Sequence, residues 1–124
     1  MQDEPTPSEI LTAIAAFLRN AVIPQATPLV AFQTRVAANA VDLVARQITL
    51  APASNAAEAE GLGKLLGLNG TLSDLNATLA AGIADGTLNG PDVTNHLWTT
   101  TLAKLAVDQP KYSGYRAALA KKDL

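Results

Sequence analysis

The fold is decided by the stretch from Leu29 to Thr49, which reads LVAFQTRVAANAVDLVARQIT. Its large apolar side chains recur every three or four residues, the spacing that places side chains on one face of an α-helix. The pattern predicts a helix over 29–49 that ends near Pro52. The side chains expected on its buried face are Leu29, Phe32, Val36, Ala40, Leu43, Val44 and Ile48.

Helical patterns and end signals continue on both sides of this stretch. Thr6-Pro7-Ser8-Glu9 has the form of a capping box, and the apolar positions that follow it predict a first helix ending before Pro24. A third helix is expected from about residue 54 to Gly67, a fourth from Thr71 to Gly86, a fifth from Asp92 or Thr94 to about Gln109, and a last one from Tyr115 to Lys121.

No segment shows the two-residue alternation that is typical of a half-buried strand. A chain of 124 residues is large enough for one hydrophobic core and too small for two independent cores. The sequence therefore predicts an all-α protein, a compact bundle of five to six helices, with residues 1–124 forming a single domain.

Charge and composition exclude several classes of function. Charged residues make up 16% of the chain, against roughly 25% in an average soluble domain. We therefore expect part of the surface to be covered, in a homo-oligomer or by a partner protein; the alternative is an ordinary monomer with alanines on its surface. The net charge of −2 offers no basic field for nucleic acid. The acidic start and the lack of a long apolar run predict a cytoplasmic protein without a membrane span.

The residues that catalysis needs are sparse. The chain has no cysteine, and its one histidine, His96, stands in no nucleophile motif. One histidine with scattered carboxylates falls short of a zinc or di-iron ligand set. Gly61-Leu62-Gly63 lacks the third glycine and the preceding strand of a dinucleotide-binding loop. We predict no catalytic residue, no metal and no cofactor.

Two polar stripes are the strongest candidates for a binding surface. They consist of Arg35, Asn39, Asp42 and Arg46 on the second helix, and of His96, Thr100, Lys104 and Asp108 on the fifth. Two guanidinium groups beside an amide can hold a carboxylate or a phosphate. The alternative is a solvated face with the intrahelical ion pairs Asp42–Arg46 and Lys104–Asp108. If the stripes face each other, they form a groove with charges of both signs.

Tyr112 and Tyr115 follow the proline that ends the fifth helix and are two of the few aromatic residues in the chain. The first interpretation is that their rings pack the last helix onto the bundle. The second is a recognition surface, where tyrosine is enriched.

Three stretches together resemble a family of small bacterial proteins of unknown function: the opening Gln-Asp-Glu-Pro-Thr-Pro, residues 32–46 and residues 101–112. Such proteins are commonly encoded beside aminoglycoside-phosphotransferase-like kinases and acyl-CoA dehydrogenases. The resemblance implies importance for Arg35, Asn39, Arg46, Lys104, Pro110 and Tyr112. It also implies a kinase-like or dehydrogenase partner, although 124 residues are too few for a flavin-holding dehydrogenase itself.

Three functions remain compatible with these features of the sequence. The leading hypothesis is a non-catalytic accessory or interaction module in an acyl-CoA or hydroxyacid pathway. The second is a binder of a small anionic acyl or phosphate ligand, or a minor enzyme, that uses the Arg, Asn and Lys side chains of the two stripes. The third is a structural homo-oligomer.

Overall fold

The computed structural model describes residues 3–122, and the side chains of residues 3–121. Within these residues five α-helices follow one another: α1 (Pro7–Phe17), α2 (Pro28–Leu66), α3 (Leu72–Asp85), α4 (Pro91–Asp108) and α5 (Ser113–Lys122). A π-helical turn (Leu18–Val22) and a 3₁₀ turn (Ile23–Gln25) connect α1 to α2. Residues 3–122 contain no strand, and the all-α prediction is confirmed.

Local capping chemistry sets several of the helix ends. The Thr6 hydroxyl accepts a hydrogen bond from the backbone N–H of Glu9 at 3.3 Å, and it donates to the Glu9 carboxylate at 3.0 Å. Thr71 caps α3 in the same way through the N–H of Asp74. Gly86 ends α3 with a φ of 82°, which glycine adopts without strain. These three predicted boundaries are confirmed.

Helix α4 begins differently from the prediction. Gly90 precedes it and Pro91 occupies its first position, so neither Asp92 nor Thr94 is the cap. The Thr94 hydroxyl instead donates back to the carbonyl of Gly90 at 3.2 Å. Proline at the first position has no N–H to leave unsatisfied, and this makes it a suitable starting residue.

The separate second and third helices that the sequence predicts form one helix of 39 residues, so the predicted break near Pro52 is wrong. Proline in a helix removes one backbone hydrogen bond and costs about 3 kcal/mol. Alanines at 51, 53, 56 and 57 surround it, and alanine has the highest helix propensity. These neighbours favour continuation of the helix up to Gly67, where the predicted stop is confirmed.

The chain divides at this proline into two compact units, residues 1–51 and 52–124. The prediction of one domain over residues 1–124 stays a prediction. Among the described residues 3–51 of the first unit, only small side chains are buried, namely Ala15, Ala31, Ala38 and Thr34. Alanine allows close approach between helical segments because it carries a single methyl group.

The apolar stripe predicted to be buried on α2 lies largely at the surface. Leu29, Phe32 and Val36 are 67%, 62% and 54% exposed. Ala40, Val44 and Ile48 are exposed as well, and only Leu43 is half-buried. The prediction is wrong because it ranked positions by side-chain hydropathy, whereas the buried face of α2 in this unit consists of Ala31, Thr34 and Ala38.

The second unit has a core of large side chains. Leu62, Leu75, Leu79 and Val93 form a buried cluster, with Leu65, Leu66, Leu72 and Leu88 packed against it. Leu88 reaches this core because Gly82 leaves room for it: a Cβ atom on Gly82 would lie 2.3 Å from the Leu88 side chain. None of the helices within residues 3–122 has the length and hydropathy required to cross a membrane.

Candidate functional site

The polar stripe of α2 is bound by an arginine that the sequence analysis missed. Arg19, in the π-helical turn, donates to the Asn39 side-chain oxygen at 2.8 Å and lies 2.7 Å from the Asp42 carboxylate. Both ends of the ion pair remain about one-third exposed, so we expect the pair to contribute at most about 1 kcal/mol. The sequence could have pointed to Arg19 as a partner for these polar groups, because it is the only basic residue before Arg35.

A second polar cluster lies in residues 52–124 and centres on Glu58. Its carboxylate is 9% exposed, and one of its oxygens accepts from Asn76 at 3.0 Å and from Lys104 at 3.2 Å. The cluster therefore joins α2, α3 and α4 through three side chains. A buried carboxylate requires such partners, because it has lost its hydration.

Lys104 therefore pairs with Glu58, whereas the solvated-face interpretation of the stripe pairs it with Asp108. Glu58 precedes the buried Leu62 by one helical turn, so it lies on the same face of α2 as the core. A charged residue at that position was the signal that could have identified it. The Lys104 side chain keeps most of its surface in solvent, with its ammonium group held at the edge of the core.

His96 is held in a close approach between α4 and α2. Its Nδ1 atom lies 3.1 Å from the place that a Cβ on Gly61 would take. The Nε2 atom is buried, and it has no hydrogen-bond partner within residues 3–122. The Thr100 hydroxyl donates to the backbone carbonyl of His96 and not to its ring. Gly61 thus serves packing, and no hydroxyl nucleophile in the described part of the chain is bound to the His96 imidazole.

The two tyrosines have different surroundings. The Tyr112 ring lies over Gly114, where an added Cβ would come within 2.7 Å of it, and the ring is otherwise exposed. Tyr115 lines a groove of about 770 Å³ between α4 and α5. The other large groove side chains are Trp98, Leu102, Leu119 and Lys121. Trp98, which was assigned no role from the sequence, is 60% exposed.

The remaining candidates carry no cluster of reactive groups. Arg35 is exposed on α2, and Asp108 is exposed at the end of α4. Arg46 is half-buried on α2. Within residues 3–122, no three His, Asp or Glu side chains come together as a group that could hold a metal ion. What the two units do present is exposed apolar surface, on α2 and beside Trp98.

Comparison with known proteins places this arrangement in a family. No curated protein and no solved structure matches the chain. One family model, described as "Domain of unknown function (DUF6285)", matches residues 24–112, a span that contains all of α2, α3 and α4. This span is more than two-thirds of the chain, and it includes the Arg19 partners, the Glu58 cluster and Trp98. The chain belongs to the DUF6285 family, a family of unknown function.

Proposed function

We propose that this chain is a non-catalytic accessory module that binds a larger enzyme through exposed apolar surface. The observation that carries the proposal is the groove between α4 and α5, with the exposed Trp98 at its wall. Tryptophan and tyrosine dominate the binding energy of protein interfaces, especially where they border a pocket. Here Trp98 and Tyr115 border the same groove.

The polar groups support a binding role over a catalytic one. Asn39 and Asp42 are bound by Arg19, and Lys104 is bound by Glu58, so these side chains stabilise the fold. Large apolar side chains, among them Phe32 and Trp98, are exposed. A module with this distribution gains binding energy by burying apolar area.

The partner that we propose is a kinase-like protein of the aminoglycoside-phosphotransferase type or an acyl-CoA dehydrogenase, in the cytoplasm of a bacterium. Support for this partner comes from the family resemblance of residues 32–46 and 101–112. In such a complex the partner carries out the chemistry on an acyl or hydroxyacyl substrate. This chain contributes a docking surface and self-associates as a homo-oligomer, consistent with its low content of charged residues.

Co-purification with either partner tests this proposal. The full chain is co-expressed with each enzyme, and the Trp98→Ala variant is compared with Leu97→Ala. Leu97 is the neighbouring exposed side chain on α4 and does not line the groove. We expect Trp98→Ala to weaken retention at least tenfold and Leu97→Ala to leave it unchanged. A chain that retains neither enzyme contradicts the docking function.

A second candidate function is binding of an anionic acyl ligand. The groove favours it, because its lining is largely apolar and Lys121 stands among the lining residues. Its volume falls in the range typical of small-molecule sites, about 300–1,000 Å³. The polar alternative uses the α2 stripe, with Arg35, Asn39 and Arg46 around the anion.

Thermal-shift measurements with acyl-CoA thioesters and phosphorylated hydroxyacids test the ligand function. A ligand at 100 times its dissociation constant stabilises the folded state by about 2.7 kcal/mol. If the groove is the site, Trp98→Ala abolishes the shift and Leu97→Ala retains it. If the α2 stripe is the site, Arg35→Ala abolishes the shift. The absence of a shift with every anion contradicts this function.

A further inference from the structure

We propose that α2 pairs, between Leu29 and Leu50, with the same segment of a second copy of this chain in antiparallel orientation. The inference rests on the self-association included in the proposed function, and it names the surface and the geometry. We call one apolar face of this segment the α2 seam; it consists of the exposed Leu29, Phe32, Val36 and Leu50 and the half-buried Leu43.

The spacing of the α2 seam is that of a helix-pairing surface. Leu29, Val36, Leu43 and Leu50 follow one another at intervals of seven residues, and Phe32 occupies the intermediate position of the first interval. This is the heptad pattern with which two helices pack side chains into each other's gaps. The pattern lies in one unbroken helix. An amphipathic helix is therefore the occupant that fits this seam.

The α2 seam faces away from the small core of its own unit. At about 100° per residue, Val36 lies roughly opposite Ala38 on the helix circumference. Ala38 is fully buried and Val36 is 54% exposed. The side of α2 that packs inside the unit thus contains Ala31, Thr34 and Ala38, and the large seam residues point the other way. They are free to meet a second molecule without disturbing that packing.

The charged residues beside the α2 seam favour a second copy as the partner, and they favour the antiparallel orientation of the two helices. Arg35 and Asp42 both flank the seam on the same side and are seven residues apart. In an antiparallel pair these flanking positions face each other, so Arg35 of each copy approaches the Asp42 carboxylate of the other, whose Oδ2 atom also pairs with Arg19 of its own chain. In a parallel pair the same positions face Ala40 and Gln47, which carry no charge. Flanking charges decide orientation in helix pairs.

The register follows from the same symmetry. Antiparallel packing with Arg35 near Asp42 places Phe32 of one copy beside Leu43 of the other, and Val36 beside Asn39. The intermediate positions of the second and third intervals are polar, Asn39 and Arg46, and this register places Arg46 beside Leu29 of the other copy. Polar residues within an apolar seam restrict the register in which two helices pair. The Asn39 side chain is held by Arg19 at 2.8 Å, so its amide enters the seam already oriented.

The exposed area is sufficient for a specific contact. Leu29 and Phe32 are each about two-thirds exposed, and Leu50 is also exposed. Pairing of two such seams buries on the order of 1,000 Å² in total, the lower limit for a specific interface. We therefore expect a reversible dimer that dissociates when the protein is diluted.

Cysteine cross-linking tests the orientation, because the natural chain contains no cysteine. Full-length Phe32→Cys and Leu43→Cys are oxidised separately and as a mixture. The antiparallel pair predicts a disulfide-linked dimer in the mixture only, since two Phe32 positions are about 16 Å apart along the axis and a disulfide requires Cα atoms within about 7 Å. Cross-linking of Phe32→Cys with itself, or none in the mixture, overturns the proposal.

Sedimentation equilibrium of Val36→Glu and Val44→Glu tests the surface. The two valines are on the same helix with similar exposure, 54% and 47%, but Val44 lies outside the seam. We expect Val36→Glu to raise the dimer dissociation constant at least tenfold and Val44→Glu to change it less than twofold. The reverse order overturns the seam, as does a natural chain that remains monomeric. Partner retention is read separately with Trp98→Ala, which leaves the dimer intact if the seam is correct.

Discussion

The two units of this chain bury side chains of different size. Residues 52–124 bury large side chains around Leu62 and Leu75, and glycine provides the close approach at Gly61 and Gly82. Residues 1–51 contain no glycine, bury alanines and one threonine, and leave Leu29 and Phe32 at the surface. The comparison teaches that strong apolar periodicity can mark an exposed face of a helix as readily as a core.

The largest expected effect is in the core of the second unit. Leu62 is fully buried, so Leu62→Ala should reduce the free energy of unfolding by about 2–5 kcal/mol. Leu29→Ala, the same change at an exposed position of α2, should cost less than about 1 kcal/mol in the monomer. Urea denaturation at low protein concentration measures both. Equal losses of unfolding free energy in the two variants would contradict the difference in burial between Leu62 and Leu29.

Enlargement of a small side chain should reveal the core of the first unit. Ala38 is fully buried and Ala40 is exposed on the same helix. Ala38→Leu should cost about 1–3 kcal/mol because close packing leaves no space for the added carbons. Ala40→Leu should be nearly neutral, and thermal unfolding of the two variants gives the comparison. A neutral Ala38→Leu would mean that the first unit is not closely packed.

The polar clusters of the two units should also differ in strength. Glu58→Ala leaves Asn76 and Lys104 without their shared acceptor and should cost about 1–3 kcal/mol. Asp42→Ala breaks a partly exposed pair with Arg19 and should cost about 0–1 kcal/mol. A double-mutant cycle of Glu58 with Lys104, measured by urea denaturation, isolates the pair. A larger effect at Asp42 would contradict the burial seen at Glu58.

The smallest effect concerns a surface carboxylate of the second unit. Hydrogen bonds from the hydroxyl and the backbone N–H of Thr87 lower the pKa of Asp85 below its ordinary value of 3.8. A lowered folded-state pKa contributes stability that is present above the unfolded pKa and lost as the pH falls through the folded one. Thr87→Val should raise the Asp85 pKa toward 3.8 in an NMR titration. An unchanged pKa would show that the hydroxyl bond is not formed.

Helix ends could be predicted from the sequence, and pairs of side chains that are far apart along the chain could not. Thr6, Thr71 and Gly86 bond to backbone groups within a few residues, so their roles are visible in short stretches. The partners of Arg19 lie 20 and 23 positions away, and Lys104 lies 46 positions from Glu58. Such pairs depend on how the helices pack. The same dependence explains the misassigned face of α2, because hydropathy alone does not say which apolar side chain meets a neighbour.

The central claim is that the seam of α2 is covered by a second copy, whereas the core of the second unit needs no covering. Amide hydrogen exchange measured over a range of protein concentrations tests this claim most directly. The account predicts that protection of residues 29–50 increases with concentration, while protection around Leu75 and Leu79 in α3 stays constant. Protection of residues 29–50 that is independent of concentration would contradict it.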